Sequence, residues 1–142
     1  MNTSKLYYRF ESIGLDVTDE KEVKKYNEEL TSFVVLERQF DLLKTAYDGQ
    51  LKERADIMID ALPDVDGVAE LAVFHNIKLK LFSRAVKWQK FSLCATYYDV
   101  ADNSFLYFYD TQDFDEVKRI FEDFVTKRKI PDFSSWEKIA IA

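Results

Sequence analysis

The sequence predicts an α+β fold: an antiparallel sheet of about four to five strands, packed against a long N-terminal helix and a shorter C-terminal helix. Three observations carry that expectation. Apolar residues recur at helical spacing from Val23 to Leu62, they alternate at strand spacing in several runs between Val68 and Tyr109, and helical spacing returns after Asp113. The strands cluster instead of alternating with helices, which disfavours a doubly wound parallel sheet. Three glycines in the whole chain leave no Gly-rich phosphate loop to build.

Lys5 to Phe10 reads as a short strand, with Leu6, Tyr8 and Phe10 alternating against Lys5, Tyr7 and Arg9. After a loop through Gly14, Asp19 and Glu22 form an Asp-x-x-Glu capping box. Val23, Tyr26, Leu30, Phe33, Leu36, Phe40, Leu43 and Tyr47 then fall on one helical face. Asp48-Gly49 looks like a stop, yet Leu51, Ala55, Met58 and Leu62 carry the stripe onward without a phase jump. One long helix bent at Gly49 accounts for both features better than a hairpin of two helices broken there, and in either case Pro63 ends it.

Val68 to Phe74 and Ile77 to Phe82 read as strands around a His75-Asn76 turn, and Lys90 to Tyr98 as a third. Asp102-Asn103-Ser104 is a turn sequence, followed by a fourth strand, Ser104 to Tyr109. Asp113 with Glu116 opens a second capping box. Its helix carries Val117, Phe121, Phe124 and Val125 inward and closes on Lys127-Arg128-Lys129 before Pro131. Those three bases complement the helix dipole. The tail, with Phe133, Trp136, Ile139 and Ile141, is apolar enough to dock back on the body.

At 142 residues the chain has the size of one domain, so residues 1–142 are expected to share a single core. A hydrophobic share of 47% with 32% charged residues excludes disorder as the default. The aromatic share, 15%, exceeds what a small core needs, so some rings are expected to face outward. Cys94 is the only cysteine, which rules out an intramolecular disulfide. The N-terminus lacks a signal peptide's apolar stretch, and no run approaches the ~18 apolar residues of a membrane span. A cytoplasmic location is the corresponding expectation.

Catalytic and metal chemistry find little support. One His and one Cys cannot build a Cys/His zinc site. Cys94, between Leu93 and Ala95 in a strand, is expected to be a core thiol, and His75 a solvated turn residue. Setting Gly67 of Asp64-Val65-Asp66-Gly67 at the sixth position of a calcium loop puts Leu62 first and Val73 last, where oxygen ligands are required. Asp60, Asp64, Asp66 and Glu70 then read as a solvated turn in preference to a loose cation site. No catalytic residue, metal or cofactor is expected.

Charge is more informative. The net charge of −6 disfavours nucleic acid and anionic membranes and favours a basic partner. It is also blocked: five acids and no base from Ala55 to Ile77, five bases and no acid from Lys78 to Lys90, six acids and no base from Phe91 to Val117. Such blocks give a folded surface patches of opposite sign.

Two stretches are candidates for function. Lys78, Lys80, Arg84, Lys87 and Lys90, with Trp88, form the only basic and aromatic run suited to an anionic ligand or nucleic acid. The plainer reading is a solvated sheet face that discourages edge aggregation. Phe105, Tyr107 and Tyr109 share one face of a strand while Leu106 and Phe108 share the other. If Leu106 and Phe108 face the helices, the aromatic row points outward, bordered by Asp99, Asp102 and Asp110. Rigid aromatic anchors inside an acidic rim suit a basic protein partner. The alternative is a second core layer covered by the tail or the N-terminal strand.

The functional expectation is a small acidic intracellular protein that binds another protein and is not an enzyme. Its most concrete form is an immunity- or antitoxin-like inhibitor that occludes a basic partner such as a nuclease toxin. Other readings are a nucleic-acid or anionic-ligand module using Lys78–Lys90, a DNA-mimicking anti-defence protein, and a homodimeric scaffold.

Overall fold

The computed structural model describes residues 4–13, 28–49, 54–79, 81 and 86–141. Its strands are β1 (Lys5–Ile13), β2 (Glu28–Leu30), β3 (Arg54–Val65), β4 (Val68–Leu79), β5 (Val86–Tyr98), β6 (Ser104–Thr111) and β7 (Glu137–Ala140). They form one antiparallel sheet in the order β2-β1-β3-β4-β5-β6-β7. Helix α1 (Glu37–Gly49) lies between β2 and β3, and α2 (Phe114–Lys127) between β6 and β7.

Both helices pack on one face of the sheet. Phe40 and Leu43 of α1, with Leu36 in the 3-10 turn just before it, join Val117, Phe121 and Phe124 of α2 in one core with Leu6, Ile57, Ile59, Leu71, Val73, Phe91 and Leu93. The Phe40 ring meets Phe121 edge-on at 5.4 Å, so the helices contact each other as well as the sheet. Asp113 caps α2 by accepting the Glu116 N–H at 3.2 Å, a contact worth about 1 kcal/mol. The helix ends on Arg128 in the left-handed region at φ 52°, and the Arg128 guanidinium donates to the Ser4 carbonyl at 2.9 Å. That bond ties the end of α2 to the residue just before β1.

The N-terminal half departs from the sequence expectation. Among the described residues there is no long N-terminal helix: α1 is 13 residues long, and from Arg54 onward the stretch expected to continue it is strand β3. Leu51, Ala55, Met58 and Leu62 do sit at helical spacing, but Ile57, Ile59 and Ala61 alternate between them at strand spacing. Burial selects the second period, with Ile57 and Ile59 at 1% and 0% exposure and Leu62 at 68%. The β-branched Ile57 and Ile59 favour that outcome, because their stiff χ1 suits a pleated surface. Pro63 ends no helix; it lies near the end of β3 after a cis bond from Leu62. Leu30, read as helical, pairs with Leu6 in strand β2. The Asp19–Glu22 capping box, Val23 and Tyr26 lie outside the described residues.

The sheet is also larger than expected, with seven strands among the described residues where about four to five were expected. No turn interrupts β4 at His75-Asn76, since both residues continue the ladder opposite Phe91 and Lys90. His75 is 4% exposed, not solvated, and its Nε2 lies 2.9 Å from Gln89 Oε1. Strands β2 and β7 have only 3 and 4 residues, too few for alternation to announce them. Among the described residues, no helix is long and apolar enough to cross a membrane.

Candidate interaction face

With α1 and α2 on one side, the other face of the sheet carries no helix among the described residues. Its side chains follow from the register. Met58, Ala72, Cys94 and Phe108 lie in one row across β3 to β6, and Asp60, Glu70, Thr96, Leu106 and Ile139 in the next, across β3 to β7. Phe74, Ser92 and Asp110 form a third row.

The placement of β6 decides the aromatic row. Tyr107 and Tyr109 stand opposite Ala95 and Leu93, both fully buried under the helices, so the tyrosines face the helix side too. There the tail covers them. Tyr107 stacks on Phe133 with centroids 4.2 Å apart, and Tyr109 on Trp136 at 5.3 Å. The Tyr109 hydroxyl donates to Glu116 at 2.8 Å, and that bond to the carboxylate pushes the phenol pKa up. Thr111 donates to the other Glu116 oxygen at 2.8 Å, so the second acid of the capping box clamps β6 to α2. Phe105 shares this side, beneath the Lys138 ammonium at 4.0 Å.

Leu106 and Phe108 therefore occupy the helix-free face, with Asp110 in line beyond them. Beside them lie Tyr98 from β5 and Ile139 and Ile141 from the tail, all more than 40% exposed. Asp99 and Asp102 flank this patch in the β5–β6 hairpin. The Asp99 carboxylate accepts the Ala101 and Asn103 N–H groups, each at 2.9 Å, and the Asn103 bond leads the lowering of its pKa. This turn holds Val100 in solvent. The neighbouring β3–β4 hairpin, with Asp64 and Asp66, is joined to it where the Tyr98 N–H donates to the Gly67 carbonyl at 2.8 Å. Gly67 is required there: its φ is +97°, and an added Cβ would meet the Tyr97 ring.

The sequence-derived candidates thus divide. Asp99, Asp102 and Asp110 border an exposed apolar patch, whereas Phe105, Tyr107 and Tyr109 lie on the opposite side of the same strand. Sequence reasoning missed Tyr98, Leu106, Phe108, Ile139 and Ile141 as a group, because only the register brings three strands' residues together.

Elsewhere on the open face, Arg9 bridges Glu70 at 3.3 Å and Asp60 at 3.8 Å. Burial, then the neighbouring Asp60, raises the Glu70 pKa above its usual 4.5. Asp64 accepts the Gly67 N–H in its turn, so these acids do not converge on one point. Among the described residues no His, Cys, Asp or Glu cluster is placed to hold a metal ion. Cys94 is half-buried, and burial pushes its thiol up, away from reactivity.

Of the basic run, Lys78, Trp88 and Lys90 meet at the far end of β4 and β5. The Lys90 ammonium lies 5.0 Å from the Trp88 ring and 4.0 Å from Asp110. Lys87 is exposed at the register shift between Trp88 and Val86, and Lys80 and Arg84 lie outside the described residues. Compared with known proteins, the chain matches no family model, no curated protein and no solved structure.

Proposed function

We propose that this protein binds a basic protein partner through the helix-free face at β5, β6 and β7, acting by occlusion and not by catalysis, in the manner of a toxin-neutralising inhibitor. One observation carries the reading. The exposed Tyr98, Ile139 and Ile141 and the half-buried Leu106 and Phe108 form an apolar patch bordered by Asp99, Asp102, Asp110 and Glu137. An apolar centre supplies affinity through desolvation, and a rim of one sign steers an oppositely charged partner and rejects others. The hairpin carrying Asp64 and Asp66 extends the acidic border towards the end of the sheet.

Affinity capture from the producing cells tests this with three baits: the wild-type chain, Leu106→Arg and Asp102→Asn. Asp102 sits at φ 61°, which Asn tolerates, so that change removes charge with little strain. The wild type should retain a basic protein that added salt releases, Leu106→Arg should lose it, and Asp102→Asn should bind it with slower association. Capture of a basic protein equally well by Leu106→Arg would exclude this face.

A nucleic-acid reading keeps one supporting observation, the grouping of Lys78, Trp88 and Lys90 on one face. With Lys90 beside Asp110, that footprint is small for counterion release.

A further inference from the structure

The tail strand β7 closes one side of the sheet, and among the described residues nothing pairs with its outer edge. Its hydrogen-bonding parity is fixed by one contact: the Ile141 N–H donates to the Ser104 carbonyl at 2.9 Å. Bonding alternates along an antiparallel pair, so Ile139 and Glu137 also turn their backbone groups towards β6. Lys138 and Ala140 then direct both N–H and C=O outward. The usual guards of an edge are weak here. There is no proline or bulge in β7, and the Lys138 side chain is drawn inward over the Phe105 and Tyr107 rings at 4.0 and 5.8 Å.

We infer that the occupant of this edge is a second copy of the chain, added antiparallel about a two-fold axis through Ile139 and normal to the sheet. The edge is self-complementary in that register. Lys138 of each copy exchanges two main-chain hydrogen bonds with Ala140 of the other, which satisfies every outward group of both residues. Ile139 faces its own counterpart as a close, non-hydrogen-bonded pair, covering a side chain that is 45% exposed in the single chain. Glu137 faces Ile141, and Lys138 faces Ala140, so no like charges meet. Shifting the axis to Lys138 would set two ammonium groups opposite each other, which disfavours that pairing. The dimer is isologous and closed, and it carries one continuous sheet. It leaves Leu106, Phe108 and Tyr98 of both copies open but covers Ile139, so the dimer edge and the proposed partner face meet at that side chain.

Light scattering and sedimentation on the purified chain should give twice the chain mass, dissociating on dilution. Ala140→Pro removes an N–H that points away from β6, so the fold should stay intact while the dimer dissociation constant rises roughly 30-fold or more. Ile139→Lys, which sets like charges face to face, should abolish the dimer while the single chain keeps its circular dichroism spectrum and cooperative unfolding. In a Cys94→Ser background, Ile139→Cys should cross-link on oxidation, because the facing Cα atoms would lie ~4.5 Å apart, within disulfide reach. Lys138→Cys should not. A chain that stays monomeric at all concentrations overturns the inference, as does a dimer that survives both Ala140→Pro and Ile139→Lys. Cross-linking through Lys138→Cys but not Ile139→Cys overturns the register.

Discussion

Replacing Tyr107 by alanine removes a half-buried ring stacked on Phe133 at an interplanar angle of 8° and set edge-on to Tyr97 at 5.8 Å. An aromatic side chain buries about 200 Å² when enclosed. Half of that, at about 25 cal/mol/Å², is roughly 2.5 kcal/mol. Losing the stack adds about 1 kcal/mol, so Tyr107→Ala should destabilise the fold by about 3.5 kcal/mol. For a chain of this length that lowers the melting temperature by about 10 °C. Urea denaturation followed by circular dichroism measures it, with the midpoint falling and the slope unchanged. Phe133→Ala should cost a similar amount, and the double variant should show a coupling of about 1 kcal/mol. A loss under about 0.5 kcal/mol for Tyr107→Ala is what an exposed surface ring gives. That result would refute the covered placement of the row and return Tyr107 to the candidates for partner contact.

Phe108→Ala, on the other face of the same strand, should cost less stability than Tyr107→Ala yet weaken partner binding by about 2 kcal/mol, mainly through faster dissociation; surface plasmon resonance on the captured complex separates these. Gly67→Ala should destabilise by about 2 kcal/mol, from positive φ together with the Tyr97 contact, and a neutral result in thermal melts would show that the turn relaxes freely. Glu70 has its pKa raised in the folded state, so folding holds its proton more tightly than the unfolded chain does. Stability from this group is therefore present below the unfolded value near 4.5 and falls as pH rises through the higher folded value. Glu70→Gln should flatten that fall in melts taken across mildly acidic pH, and an unchanged profile would contradict the burial argument. Fluorescence anisotropy with single-stranded DNA at low salt should show no saturable binding, and binding that Lys78→Glu abolishes would revive the basic run.

What the sequence disclosed depended on how many independent signals converged on a segment. Helix α2 had a cap at Asp113, a four-residue apolar stripe and a basic end before Pro131, and it lies where those signals put it. The β5–β6 hairpin was equally legible from Asp102-Asn103-Ser104 between aromatic runs. Strand β3 was misread because one stretch satisfies both periods, and only the packing of Ile57 and Ile59 under α1 chooses between them. The face of Phe105-Leu106-Tyr107-Phe108-Tyr109 was undecidable locally, since all five residues are apolar or aromatic and none prefers solvent strongly. Its partner strand settles it, through Ala95 and Leu93. The candidate patch inherits the same dependence: its acids were visible, and its centre waited on the register of three strands.

The third row of the open face has a role in specifying the sheet itself. Asn76 donates to Ser92 Oγ at 3.1 Å, and Ser92 donates to Asp110 at 2.7 Å, joining β4, β5 and β6 through a hydroxyl that is almost wholly buried. Apolar alternation forbids a slip by one residue, because that would turn the core face outward, but it is nearly blind to a slip by two. A two-residue slip of β5 would place Lys90 or Cys94 where Ser92 stands and leave the Asp110 carboxylate without its hydroxyl. The polar chain thus acts as a vernier, reading offsets that the hydrophobic pattern cannot distinguish and keeping Tyr98, Leu106 and Phe108 in line.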